Sequence, residues 1–227
     1  VEPEAPKIPL ESVLNAVKLP RNVTGSIQEA VQAIDSVHGV PVGMSPLSLE
    51  LTNARSRAGS FRYWERKLRI SRQWGDREGF TTIHEFGHAL DYDVLDSERK
   101  WASTAAPILD DWRSAVSNSR AVKGLEQLLR TPSVQVTLPN NEPFRYTTDR
   151  KYIRYLLQNN EIFARSYTQY IATKSANPHL VAWVKQERGA GAMAGSELYY
   201  PNFWDDDDFA PIIKAFDNLF GKLGWVR

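Results

Sequence analysis

Two histidines four residues apart, with a glutamate directly after the first, form the segment His84-Glu85-Phe86-Gly87-His88. On an α-helix that spacing sets both imidazoles on one face, about one turn from each other. Two such rings can hold a zinc ion, and Glu85 is then placed to take the proton of a water that the metal acidifies. The pattern points to hydrolysis at zinc. The plainer alternative is an amphipathic helix with surface histidines. Against it, two of the chain's four histidines fall here, next to Phe80, Ile83, Phe86 and Leu90 at helical spacing. Gly87 in mid-helix costs about 1 kcal/mol relative to alanine, which implies that something packs closely against it.

A catalytic zinc site needs a third protein ligand, leaving one position open. The chain has no cysteine, so thiolate ligands are excluded. Residue 94 is Val94, so there is no third histidine six residues after His88, as a metzincin would carry. An oxygen ligand is left. Asp91 lies three residues after His88, roughly on the same face, but it reads first as helix C-terminal polarity or as an outer hydrogen-bond partner of a histidine N–H, which makes Glu161 the better candidate. Glu161, in Asn160-Glu161-Ile162-Phe163-Ala164-Arg165, sits in the first turn of an expected helix that can pack against the metal helix. It reads equally as a glutamate favoured there by the helix dipole. Residue chemistry alone leaves open whether Glu161 is a ligand.

The elements that must hold these residues can be read from periodicity. Ser26-Ile27-Gln28-Glu29 has the form of a capping box opening an amphipathic helix that Gly39 and Pro41 end. Leu47 to Thr52 alternates as a half-buried strand, and Gly59 to Ser71 reads as a hairpin around Glu65-Arg66-Lys67. The metal segment looks helical from about Asp76 or Thr81 to Val94. Thr104 is a possible cap for a helix holding Ile108, Trp112 and Val116, with a further helical piece over Leu125 to Leu129. Val134 to Leu138 reads as a short strand; Thr148 to Leu157 and Asn160 to Thr173 read as helices, the second amphipathic. Gly189 to Gly195 reads as a loop, and Asp205 to Asp208 as dipole-favourable charges opening a last helix. Helices outnumber strands and are segregated from them, so the class is α+β: mostly helical, with a small sheet or hairpin before the helix of His84.

Composition sets the outer bounds. The 227 residues are 42% hydrophobic and 24% charged with a net charge of +1, which gives no general pull toward nucleic acid or membrane. No apolar run is long enough to span a bilayer. Residues 1–20, with Pro3, Pro6 and Pro9, read as an extended lead-in with a helical turn around Ser12 to Val17. They precede a single domain over 21–227, and the whole is expected to belong to a longer polypeptide. Eight basic residues between Arg55 and Arg77 face only Glu65 and Asp76 in sequence. They read first as a solvated, aggregation-resistant edge, and second as a surface for acidic peptide or nucleic acid.

The segment His84 to His88 continuing into Ala89-Leu90-Asp91, with Glu161-Ile162-Phe163-Ala164 downstream, resembles the gluzincin-type metallopeptidases of the anthrax lethal factor kind. Glu161 to Arg165, with Tyr167 and Tyr170 after it, is similar to the peptidase-like domains of phage head and polyvalent proteins. The resemblance covers about residues 59 to 171 and implies a zincin-like fold, zinc bound by His84, His88 and Glu161, and Glu85 as the proton carrier. It further implies a tyrosine shortly before the ligand glutamate as oxyanion donor, Tyr155 ahead of Tyr152. The expected activity is that of a zinc metalloendopeptidase acting on a protein or peptide, with the substrate lying along an edge strand. The alternatives are a zinc-stabilised interaction domain of a larger phage or secreted protein, or a delivered toxin protease. The resemblance leaves localisation between virion-associated and secreted or delivered. One departure stands out: the 72 residues between His88 and Glu161 exceed the insert of compact members.

Overall fold

A computed structural model describes residues 7–10, 13–16, 21–42, 44–95, 100–131, 133–137, 141–190 and 202–226. The chain enters through two short strands, β1 (Lys7–Ile8) and β2 (Leu14–Ala16), where a helical turn was expected. Helix α1 (Arg21–Val37) follows, then β3 (Val40–Pro41), which pairs with β1. Next come β4 (Leu47–Thr52), β5 (Gly59–Arg62) and β6 (Lys67–Ser71). The main sheet has the order β2-β4-β6-β5: β4 is parallel to both β2 and β6, and β5 is an antiparallel edge strand. The expected strand and hairpin are both present. Alternation in β4 buries Leu47 and Leu49, and β6 adds Leu68 and Ile70 to the same core.

A 3-10 turn over Arg72–Arg77 leads into α2 (Glu78–Ala89), which carries the histidines and runs on as a π-turn, Leu90–Val94. The expected capping box does not open α1, which starts five residues earlier. Ser26 instead lies inside α1, and its hydroxyl accepts the Gly79 N–H at the start of α2 at 2.9 Å. A local capping signal has become a tertiary one. A Cβ at Gly79 would meet the Ser26 carbonyl oxygen at 2.5 Å, so glycine is what lets the two helices approach.

The insert is helical apart from one hairpin. The single helix expected after Thr104 is broken into α3 (Ala102–Ala105), a 3-10 turn at Pro107–Leu109 and α4 (Asp110–Asn118), because Pro107 cannot continue α3. Then come α5 (Arg120–Arg130), the antiparallel pair β7 (Ser133–Thr137) and β8 (Pro143–Thr147), and α6 (Arg150–Leu156). Leu125, Ile153 and Leu156 form a small cluster of their own, so α5 and α6 make a satellite beside the main core. Helix α7 (Asn159–Ser175) packs along α2, followed by α8 (Pro178–Ala190) and α9 (Asp206–Lys222). Helix α8 was not foreseen, and it takes in Gly189 of the expected loop, whose residues 191–195 lie outside the described residues.

Helix α7 is not amphipathic. It is buried continuously from Glu161 to Ala172, because α1, α2, α8 and α9 surround it. Polar side chains in its middle are satisfied internally: Thr168 donates to the Ala164 carbonyl, and Gln169 exchanges two hydrogen bonds with the Trp204 backbone. The aspartates at the start of α9 do more than complement its dipole. Asp208 accepts the Arg120 and Ala121 N–H groups at 2.8 and 3.0 Å, capping α5, and Asp206 and Asp207 pair with Arg188 and Arg120. Among the described residues, no helix is long and apolar enough to cross a membrane.

Candidate metal centre

Every residue of α2 except His84 is buried, which removes the reading of His84 and His88 as surface histidines of an amphipathic helix. The close partner implied by Gly87 is α7: a Cβ there would stand 3.1 Å from both Ala164 Cα and Tyr167 Cδ1. That contact brings Glu161, nearly one turn before Ala164, opposite the two imidazoles. Glu161 Oε2 lies 3.5 Å from His84 Nε2, and Glu161 Oε1 lies 3.3 Å from His88 Nε2. The three donor atoms lie within 4.8 Å of one another, the one group among the described residues arranged to hold a metal ion.

These separations test whether an ion fits. Tetrahedral zinc with bonds of 2.0–2.1 Å separates its ligand atoms by about 3.3–3.4 Å. Each histidine faces a different Glu161 oxygen at close to that edge length, the donor atoms all lie within 4.8 Å, and Glu161 Oε2 is buried without a hydrogen-bond partner. Two neutral nitrogens and one carboxylate, with no sulfur, suit zinc or a similar first-row ion. The residues fit a metal.

Without the ion, charge is concentrated in the cluster. Burial pushes the Glu161 carboxyl up, but the two facing imidazoles outweigh this and hold it well below the usual carboxylate range. Burial pushes the His88 imidazole down, yet its contact with Glu161 leaves it raised on balance. Glu85 is 4% exposed, and burial pushes its carboxyl above the usual range, with His84 and His88 pulling the other way. The Phe61 backbone on edge strand β5 adds a smaller pull in the same direction as the histidines. A Cβ at Gly59 would stand 2.5 Å from Glu85 Oε1 and 2.6 Å from Thr81 Cγ2, so β5 lies directly against the glutamate.

The remaining expected residues divide. The Tyr155 hydroxyl, on α6, faces the Glu161 carboxylate, and burial together with that carboxylate holds it protonated far above the usual tyrosine range. Tyr152 stacks on Tyr155 with centroids 6.2 Å apart, but its hydroxyl turns to Asn202 at 3.0 Å. Asp91 is fully buried and outside the metal cluster; it accepts the Ser103 N–H and hydroxyl at 2.6 and 2.7 Å, tying the π-turn to α3. The other histidines are elsewhere: His38 is a core residue bonded to Tyr167, and His179 is a surface partner of Glu29.

Sequence reasoning missed two neighbours of the site. The Trp101 ring lies 5.7 Å from His88, and Arg165, on α7, donates to the Leu156 and Asn202 carbonyls, fastening the end of α6 beside Glu161. Neither carries a local signal, since only the fold brings them near the metal helix. No protein-family model, no curated protein and no solved structure matches this chain. The arrangement itself, two histidines of one helix facing a glutamate of a second, is that of an HExxH…E site.

Proposed function

We propose that this protein is a zinc-dependent metalloendopeptidase, with His84, His88 and Glu161 as the metal ligands. The observation that carries this reading is the meeting of those three donors within 4.8 Å of one another with the buried Glu85 beside them. Bound zinc supplies Lewis acidity, polarising a carbonyl and lowering the pKa of a water toward ~7. Glu85, raised by burial, accepts the proton of the attacking water and returns it to the leaving amine. The β5 backbone at Phe61 and Gly59 holds its carboxylate in place. Tyr155, kept protonated beside Glu161, donates to the oxyanion as it forms. The outer edge of β5, which pairs with no further strand among the described residues, offers main-chain groups to an extended peptide. The two-helix ligand set agrees with the resemblance to lethal-factor-like and phage peptidase-like domains.

The charge around the hairpin supports a peptide rather than nucleic acid. Of the eight basic residues from Arg55 to Arg77, five are paired with carboxylates: Arg62, Arg66, Lys67, Arg69 and Arg77. A diverse peptide library digested with the zinc-loaded protein tests the proposal. Cleavage is expected, and the Glu85→Gln variant should keep its zinc and lose it. A wild-type protein that holds zinc but cuts no peptide would instead be a metal-stabilised scaffold.

A further inference from the structure

Among the described residues six aromatic side chains are exposed, and two pairs of them connect to the metal cluster: Tyr152 stacks on Tyr155, which faces Glu161, and Tyr63 and Trp64 reach His88 through other rings. The second pair belongs to an unbroken run of rings. Trp101 lies 5.7 Å from His88, Tyr92 lies 5.1 Å from Trp101, Tyr63 lies 4.7 Å from Tyr92, and Trp64 lies 4.9 Å from Tyr63. The run starts at a metal ligand and ends in solvent, where Tyr63 is 43% and Trp64 66% exposed. Tyr92 and Trp101 are half-buried, so the exposed pair Tyr63 and Trp64 is backed by a continuous run of rings leading to His88, and grouped aromatics of this kind mark a binding surface more often than a lone surface aromatic does.

The strip is held ready rather than loose. The Trp64 indole N–H donates to Glu65 Oε1 at 3.2 Å, and the Arg62 guanidinium lies 5.8 Å from its ring centre. The turn is pinned at Arg66, which takes a positive φ of 50°, donates to the Ser45 carbonyl at 2.7 Å and pairs with Asp93 at 2.6 Å. The charged groups at the tip are engaged in ion pairs, Arg62 and Lys67 with Glu65 and Lys67 also with Glu50. Pre-ordered rings lose little entropy on contact with an apolar guest.

Strand β5 connects this strip to the chemistry. Its Gly59 and Phe61 backbone touch Glu85, and two residues on, roughly 7 Å away at strand rise, Tyr63 enters the strip. On the metallopeptidase reading above, we propose that Trp101, Tyr92, Tyr63 and Trp64 form a substrate subsite. It takes a large aromatic or apolar side chain within about two residues of the scissile bond, so the preferred substrates are extended peptides carrying such a residue there.

The test uses zinc-loaded Glu85→Gln protein, which reports binding without turnover. Acetylated hexapeptide amides carrying phenylalanine or alanine at each position in turn are titrated by calorimetry. At one position phenylalanine should bind at least about tenfold tighter than alanine, as a well-packed aromatic contact allows. Adding Trp64→Ala or Tyr63→Ala should bring that ratio close to one with zinc content and thermal midpoint unchanged, and Trp64→Phe should restore most of it. Equal affinity for both peptides, absence of binding by either, or a preference that survives both alanine variants would overturn the subsite. Wild-type digestion separates the two claims: cutting without aromatic preference defeats the subsite alone. Aromatic-selective binding by Glu85→Gln protein, with no cutting by the wild type, defeats the peptidase alone.

Discussion

Glu85 is a buried carboxylate held between two constraints, the imidazoles on its own helix and the backbone of β5. Its two roles, staying in place and moving a proton, can be separated by substitution. Glu85→Gln keeps the shape and removes the base, so turnover of a cleaved peptide should fall by about 10²–10⁴ while zinc content stays equimolar. Gly59→Ala leaves the base but puts a methyl 2.5 Å from Glu85 Oε1. The strand or the glutamate must shift, and turnover should fall at least about tenfold, since misplacing a reacting group by an ångström is costly. Retained zinc by elemental analysis, with the loss appearing in kcat, would distinguish this displacement from unfolding. At the ligand level, Glu161→Ala should weaken zinc binding by more than the ~10–100-fold typical of an outer-shell partner. Asp91→Asn, which disturbs the tie to Ser103 rather than a member of the metal cluster, should change affinity much less. Competition with a calibrated chelator measures both.

The site exists because two helices approach closely, and the closest point is Gly87 against Ala164 and Tyr167. Gly87→Val should force α2 and α7 apart, costing roughly 1–3 kcal/mol by overpacking and loosening the metal, both readable from urea denaturation with and without zinc. What the sequence revealed at this scale was uneven for physical reasons. The spacing of His84, Glu85 and His88 is a local property of one helix, and the alternation of Leu47 to Thr52 is a local property of one strand, so both were legible. Gly87 was legible too, as a cost needing a partner, although the partner's identity was not. Helix α7 was placed correctly but read as amphipathic, because its polar residues are satisfied by partners such as Trp204 that lie far off in sequence. The Ser26 capping box misled for the same reason: its hydroxyl serves α2 rather than its own helix. Whether Asp91 or Glu161 faced the histidines depended on how α7 docks, and no pattern within either segment carried that information.

On the scale of the molecule, the cluster joins α2 and α7, the two helices around which the rest is packed, across a 72-residue insert. The insert is tied back at several points: Asp91 to Ser103 at its start, Asp208 to the N-terminus of α5, and Arg165 to the end of α6. Its last helix carries Tyr155 to Glu161, so the insert delivers a residue to the site as well as connecting its halves. A ligand that bridges two central helices binds the folded chain and has no comparable site in the unfolded one, so metal affinity should appear directly as stability. Free zinc at a hundred times its dissociation constant should stabilise the protein by about 2.7 kcal/mol. The urea midpoint should therefore rise with zinc concentration and fall back on chelation. Glu161→Ala protein should lose most of that rise at the same zinc concentrations, whereas Glu85→Gln protein should retain it, because Glu85 lies beside the metal cluster without belonging to it. A midpoint insensitive to zinc in the wild type would mean that His84, His88 and Glu161 meet as an ion-paired core cluster and that the metal is not part of the fold.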